Sequence, residues 1–101
     1  MTVLSDLAAL IPDARDRLKG VARITPVELN QRLTEDTGSE VWLKREDLQP
    51  VRSYKLRGAY NLISQLPPEA RDAGVVCASA GNHGQGVAWS QRCGAHYHEE
   101  R

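Results

Sequence analysis

The sequence predicts an α/β fold of short parallel strands alternating with helices, on three observations. Val41-Trp42-Leu43-Lys44-Arg45 has the period-two character of a strand. Gly74 to Ala78 is a short apolar run bounded by small residues, as in a buried parallel strand. A helical pattern follows each, so the order from Val41 onward is strand, helix, strand, helix, the signature of a right-handed βαβ unit. Two or three strands would leave such a sheet incomplete and poorly covered, because parallel sheets are buried on both faces. The chain therefore reads as a piece of a larger domain.

Each element has its own local signal. Leu4, Leu7, Ala8 and Ile11 follow helical spacing. Pro12 is expected to break or restart that helix, and Lys19-Gly20 to close the next stretch. Thr25-Pro26 marks a turn or extended segment. Asn30 can cap a short helix carrying Leu33, with Gly38 as its stop. Glu46 to Arg52 is a polar connection. Ser53 is the expected N-cap of a helix that buries Leu56, Ala59, Tyr60, Ile63 and Leu66. Pro67-Pro68 stops it, and residues 68–72 can add one more turn. Gly81 opens a loop into a helix through Val87, Ala88 and Trp89, which Gly94 is expected to end.

The composition excludes several functions. The chain has 101 residues, of which 41% are hydrophobic, close to ordinary globular usage. Its 13 basic and 13 acidic residues balance, which argues against a nucleic-acid binder. No apolar run reaches the roughly 20 residues that span a bilayer, and the N-terminus lacks the basic and apolar regions of a signal peptide. A soluble, cytoplasmic protein is expected. Cys77 and Cys93 form no C-x-x-C pair and are expected to be free thiols, with Cys77 in the core.

Two segments carry chemistry. Ser53-Tyr54-Lys55-Leu56-Arg57-Gly58-Ala59 puts a lysine in the first turn of an amphipathic helix. The positive end of the helix dipole disfavours an ammonium there, which suits an amine that must react with an aldehyde. Arg57 adds positive potential but points elsewhere on the helix. Lys19 and Lys44 have no comparable setting. Taken alone, such a lysine is most simply a solvated surface residue. Ser79-Ala80-Gly81-Asn82-His83-Gly84 is the second segment, where free N–H groups converge at a helix start. Asn82 can donate to a phenolate-type oxygen or accept from a protonated one, and Ser79 adds a hydroxyl donor. Taken alone, this is equally well a turn and helix cap. The spacing Gly81-x-x-Gly84-x-Gly86 is not the dinucleotide fingerprint.

In this order and spacing, the two segments resemble the threonine dehydratases of the tryptophan-synthase-β-like, fold type II family of pyridoxal-phosphate (PLP) enzymes. The similarity runs from about Val21 to His96. It includes Thr25-Pro26, Val41 to Gln49, the lysine segment and the loop from Ser79 to Gly86. Tyr54 stands where many relatives carry phenylalanine. The resemblance implies that the chain is the N-terminal part of such an enzyme. Residues 1–50 would contribute to the larger domain and residues 51–101 would begin the PLP-binding region. Lys55 would carry PLP covalently and move the substrate α-proton. Asn82 would hydrogen-bond the cofactor's 3′-oxygen. Ser79, Gly81, Asn82 and His83 would surround the substrate carboxylate.

The implied reaction is the dehydration and deamination of L-threonine to 2-oxobutanoate and ammonia, as in isoleucine biosynthesis. The family also implies a homo-oligomeric full-length protein; from the composition, no membrane or nucleic-acid partner is expected, and no metal. A serine dehydratase or serine racemase is the alternative within the family. A non-catalytic remnant or interaction module is the alternative outside enzymes. The glycine-rich phosphate loop and the pyridine-nitrogen partner of relatives are absent from these residues, so the isolated chain is expected to lack turnover. The terminal His96 and His98 are read as part of a polar tail and not as metal ligands.

Overall fold

The computed structural model describes residues 2–99, with side chains as far as Cys93. Helix α1 (Val3–Arg17) is followed by strand β1 (Val27–Leu29), helix α2 (Gln31–Thr37) and strand β2 (Trp42–Lys44). A 3-10 turn (Glu46–Leu48) leads to helices α3 (Lys55–Ile63), α4 (Pro68–Ala73) and α5 (Asn82–Glu99).

Helix α2 forms as its sequence dictates. The Asn30 side chain accepts the Leu33 N–H at 2.9 Å, satisfying one of the donors that a helix start leaves open. Gly38 ends the helix at φ +72°, a conformation that glycine adopts without a Cβ penalty. This helix joins β1 to β2, which pair antiparallel with Val27 opposite Lys44 and Leu29 opposite Trp42. Bonds from Asn30 N–H to Val41 C=O (2.8 Å) and from Arg45 N–H to Pro26 C=O (2.9 Å) extend the ladder at both ends.

The core lies further along the chain. Leu56 is fully buried and meets Val21 and Val51, with Ala22, Tyr60, Trp89 and Cys93 packed around them. Helix α3 turns Leu56, Ala59 and Ile63 inward, as its spacing predicts, but it ends at Ile63, short of Pro67-Pro68, so Leu66 lies beyond it and Tyr60 is only half-buried. Helices α3 and α5 pack closely, and the Trp89 indole N–H donates to the Val21 carbonyl at 3.2 Å. Burial raises the Cys93 thiol pKa above its ordinary value.

Several expectations are corrected. The expected strand from Gly74 to Ala78 does not form, and the sheet among the described residues is antiparallel and two-stranded. An apolar run becomes a strand only when neighbours bond its backbone. Here Val76 is 99% exposed, and Cys77 is exposed and not in the core. Pro12 does not divide α1, which runs through it. Gly94 does not end α5, which continues to Glu99, and the side chains of His96 and His98 lie outside the described residues. Ser53 does not cap α3. The chain enters that helix through Tyr54, which is already helical at φ −72° and ψ −16°. The Ser53 hydroxyl is left buried without a hydrogen-bond partner.

Truncating the core separates its contribution from that of the surface. Leu56→Ala is expected to lower stability by about 2–5 kcal/mol, as large-to-small changes at filled sites do. Leu62→Ala, on the exposed side of the same helix, is expected to change it by less than about 0.5 kcal/mol. Urea denaturation followed by tryptophan fluorescence checks both, and equal losses would contradict the assigned core.

Candidate active site

Lys55 is the first residue of α3 and is exposed. A tight turn precedes it: the Arg52 N–H donates to the Gln49 carbonyl at 2.9 Å, and Arg52 itself takes φ +63°. Residues with side chains seldom adopt this left-handed backbone, so the surrounding contacts must hold it.

Beside this turn, sharing Gln49 with it, lies a polar network that the sequence reading did not find. Arg57 donates to both carboxylate oxygens of Glu46, from Nε to Oε2 and from one terminal nitrogen to Oε1, each at 2.9 Å. This two-pronged geometry is the strong form of an Arg–carboxylate contact. Glu46 also accepts from the Thr25 hydroxyl at 2.8 Å and the Gln49 amide at 3.0 Å. Gln49 in turn pairs with the Arg23 backbone, accepting from its N–H and donating to its carbonyl, both at 2.8 Å. Thr25 and Gln49 are buried. Arg57, aided by Thr25 and Gln49, holds the Glu46 carboxyl down at about 2, from an ordinary 4.5. The positive charge expected from Arg57 near Lys55 is therefore paired. The partners are distant in sequence, so only the polar run Glu46 to Gln49 hinted at them.

The three lysines of the chain have different surroundings. Lys19 pairs with Asp16 at 3.2 Å. Lys44 donates to the Thr25 carbonyl at 2.5 Å and lies 3.9 Å from Glu46. Lys55 has neither a hydrogen-bond nor an ion-pair partner among the described residues.

The second segment forms the start of α5. Its first helical bond runs from the Gln85 N–H to the Gly81 carbonyl at 2.9 Å. Ser79 Oγ accepts from the N–H groups of Gly81 (3.1 Å) and Gly84 (2.9 Å). The hydroxyl thus acts as a cap, and its own O–H remains available to donate. The Asn82 and His83 N–H groups precede the first helical bond, at the positive end of the helix. Asn82 and His83 are exposed, and Gly81 is half-buried.

Gly86 brings the two segments together. A Cβ built there would lie 3.1 Å from Leu56 N, 3.2 Å from Leu56 Cα and 3.2 Å from the Lys55 carbonyl carbon. Glycine lets the helices approach this closely without displacing backbone, whereas a methyl would push it back by a few tenths of an ångström. A shallow depression of about 400 Å³ beside this contact is lined by Tyr54, Lys55, Arg57, Gly58, Ala59 and His83. Lys55 and His83 therefore share one surface. Ser79 and Gly81 sit on the adjoining loop and Asn82 opens α5, and none of the three lines the depression.

Fold and site together define a class: an α/β chain that sets an unpaired lysine amine near a helix N-terminus. The chain belongs to the pyridoxal-phosphate-dependent enzyme family, whose model matches residues 18–96. It is 60% identical over 82 residues to the biosynthetic L-threonine dehydratase IlvA of Mycobacterium leprae, and 58% identical over 82 residues to that of Corynebacterium glutamicum. Each match covers 81% of this chain and 19% of the relative, so the chain spans about a fifth of the length of the curated relatives it matches. Among solved structures it resembles the processed form of threonine deaminase isoform 2 from Solanum lycopersicum. That TM-score is 0.73 at 44% identity, covering 87% of this chain and 26% of the other. Maize serine racemase gives a TM-score of 0.76 at 32% identity, covering 84% and 27%. These likenesses place the chain in an α/β fold type II architecture.

Two outcomes check the site. Gly86→Ala is expected to cost about 1–3 kcal/mol, because the new methyl meets backbone atoms that cannot swing aside. Gly58→Ala has nothing within 4 Å of its Cβ and should gain about 0.5–1 kcal/mol from helix propensity. Chemical denaturation of the two variants distinguishes them. The second outcome concerns pH. The folded-state pKa of Glu46 lies below its unfolded value, so its stabilisation is complete above about pH 4.5 and is lost as pH falls through about 2. The expected loss is about 1–3 kcal/mol after allowing for the partial exposure of Arg57. Denaturation at several pH values should show it, and Glu46→Gln should flatten the profile in that window.

Proposed function

We propose that this chain forms the cofactor-lysine and carboxylate-binding part of a PLP-dependent threonine dehydratase. The observation that carries the reading is that Lys55, alone among three lysines, presents an unpartnered amine, and does so next to the start of α5. The residues present fit this part of the cofactor's needs. An aldehyde requires an accessible amine without competing partners, and Lys55 supplies one. The identity to biosynthetic threonine dehydratases supports threonine over serine as the substrate.

PLP, when bound, supplies an electron sink that stabilises negative charge at the substrate Cα. The protein's part is to hold, orient and move protons. Lys55 Nζ would hold the cofactor covalently and, once released, take the proton from Cα of threonine. The Asn82 side-chain amide would hydrogen-bond the cofactor's ring oxygen. The Ser79 hydroxyl and the N–H groups of Asn82 and His83 would receive the substrate carboxylate at the positive end of α5. Gly81 allows the backbone to come close. Loss of the β-hydroxyl as water leaves an enamine, and one water then hydrolyses its imine tautomer to 2-oxobutanoate and ammonia.

Incubating the chain with PLP, reducing with borohydride and mapping the adduct by mass spectrometry tests this reading. Label is expected on Lys55 in excess over Lys19 and Lys44, and Lys55→Ala should abolish that excess. L-threonine added before the reductant should lower labelling more than L-serine does. Equal labelling of all three lysines would contradict the assignment.

A further inference from the structure

The amine of Lys55 is free, yet the backbone that carries it is held from two sides. Gly86 of α5 packs against the Lys55–Leu56 peptide on one side. On the other, Arg57 is fixed to Glu46 through two bonds of 2.9 Å. Glu46 is itself anchored by buried Thr25 and Gln49, and Gln49 is bonded to both backbone groups of Arg23. An unbroken chain of hydrogen bonds thus ties the first turn of α3 to residues 23–25.

Residues 55 and 57 are two apart, so their side chains leave the helix about 200° from one another, although both reach the rim of the same depression. A bond to Arg57 therefore fixes the rotation of α3 without touching the amine of Lys55. The guanidinium–carboxylate fork has one preferred alignment, which a single point-charge contact would not impose. We propose that the Glu46–Arg57 pair is a positioning device for Lys55, setting the rotation of α3 so that the amine faces the His83 side of the depression. This rests on Lys55 being the cofactor lysine.

The test uses the full chain and its three lysines as internal controls. Wild type and the variants Glu46→Gln, Arg57→Gln and Thr25→Val are incubated with PLP, reduced with borohydride and mapped. Far-UV circular dichroism establishes that each remains folded. The Lys55-to-Lys19 labelling ratio is expected to fall about tenfold in Glu46→Gln and Arg57→Gln, the scale on which small misplacements act. Thr25→Val is isosteric and leaves the ion pair, so it keeps the test open if the other variants unfold. Its ratio should fall about threefold, since it removes one hydrogen bond to a charged group. An unchanged ratio in any folded variant would overturn the proposal. Equal labelling of all three lysines in wild type would overturn the cofactor-lysine reading and this proposal with it. A selective wild type with unchanged variants would overturn this proposal alone.

Discussion

The structure depends on a partly buried meeting of charge and amide around Glu46. One carboxylate there takes four hydrogen bonds, two from Arg57 and one each from Thr25 and Gln49. A half-satisfied carboxylate in that place would weaken the fold, because a charge largely withdrawn from water costs stability unless its lone pairs are used. Filling them brings together residues far apart in sequence: the strap before β1, the turn after β2 and the first turn of α3. The apolar cluster of Val21, Val51 and Leu56 draws on the same stretches of chain. Polar and apolar contacts thus reinforce one arrangement.

The same arrangement explains why one lysine is available and two are not. Lys44 lies on β2, next to the network, and its ammonium is drawn to the Thr25 carbonyl and the Glu46 carboxylate. Lys19 follows α1 and finds Asp16 one turn back. Lys55 begins a helix in which Arg57 takes the Glu46 carboxylate, and its own amine has no hydrogen-bond or ion-pair partner among the described residues.

Much of this was legible in the sequence where the cause is local. The Asn30 cap, the Gly38 stop, the inward face of α3 and the start of α5 at Asn82 each follow from a few adjacent residues. The family was legible because the lysine segment and the Ser79–Gly86 loop stand in that order within the residues 18–96 that the family model matches. Features set by distant partners were not legible. Gly74 to Ala78 has strand composition, but composition cannot supply the neighbouring backbone that pairing requires. Arg57 reads as a surface cation until Glu46 is placed beside it. Ser53 has the chemistry of a cap, and only the turn at Arg52 shows that its hydroxyl is directed away from that role.

The contact at Gly86 acts as a fulcrum. Helices α3 and α5 touch there backbone to backbone, with no side chain between them to absorb a change of angle. Asn82 lies four residues away, about 6 Å along the axis of α5. A tilt of about 10° around that point would carry Asn82 about 1 Å relative to Lys55, by the same helical rise. Leverage of this kind means that the distance between the two candidate groups is governed by the pitch of one helix on another. A mutation anywhere along the exposed length of α5 can then alter the chemistry at its far end without touching a site residue.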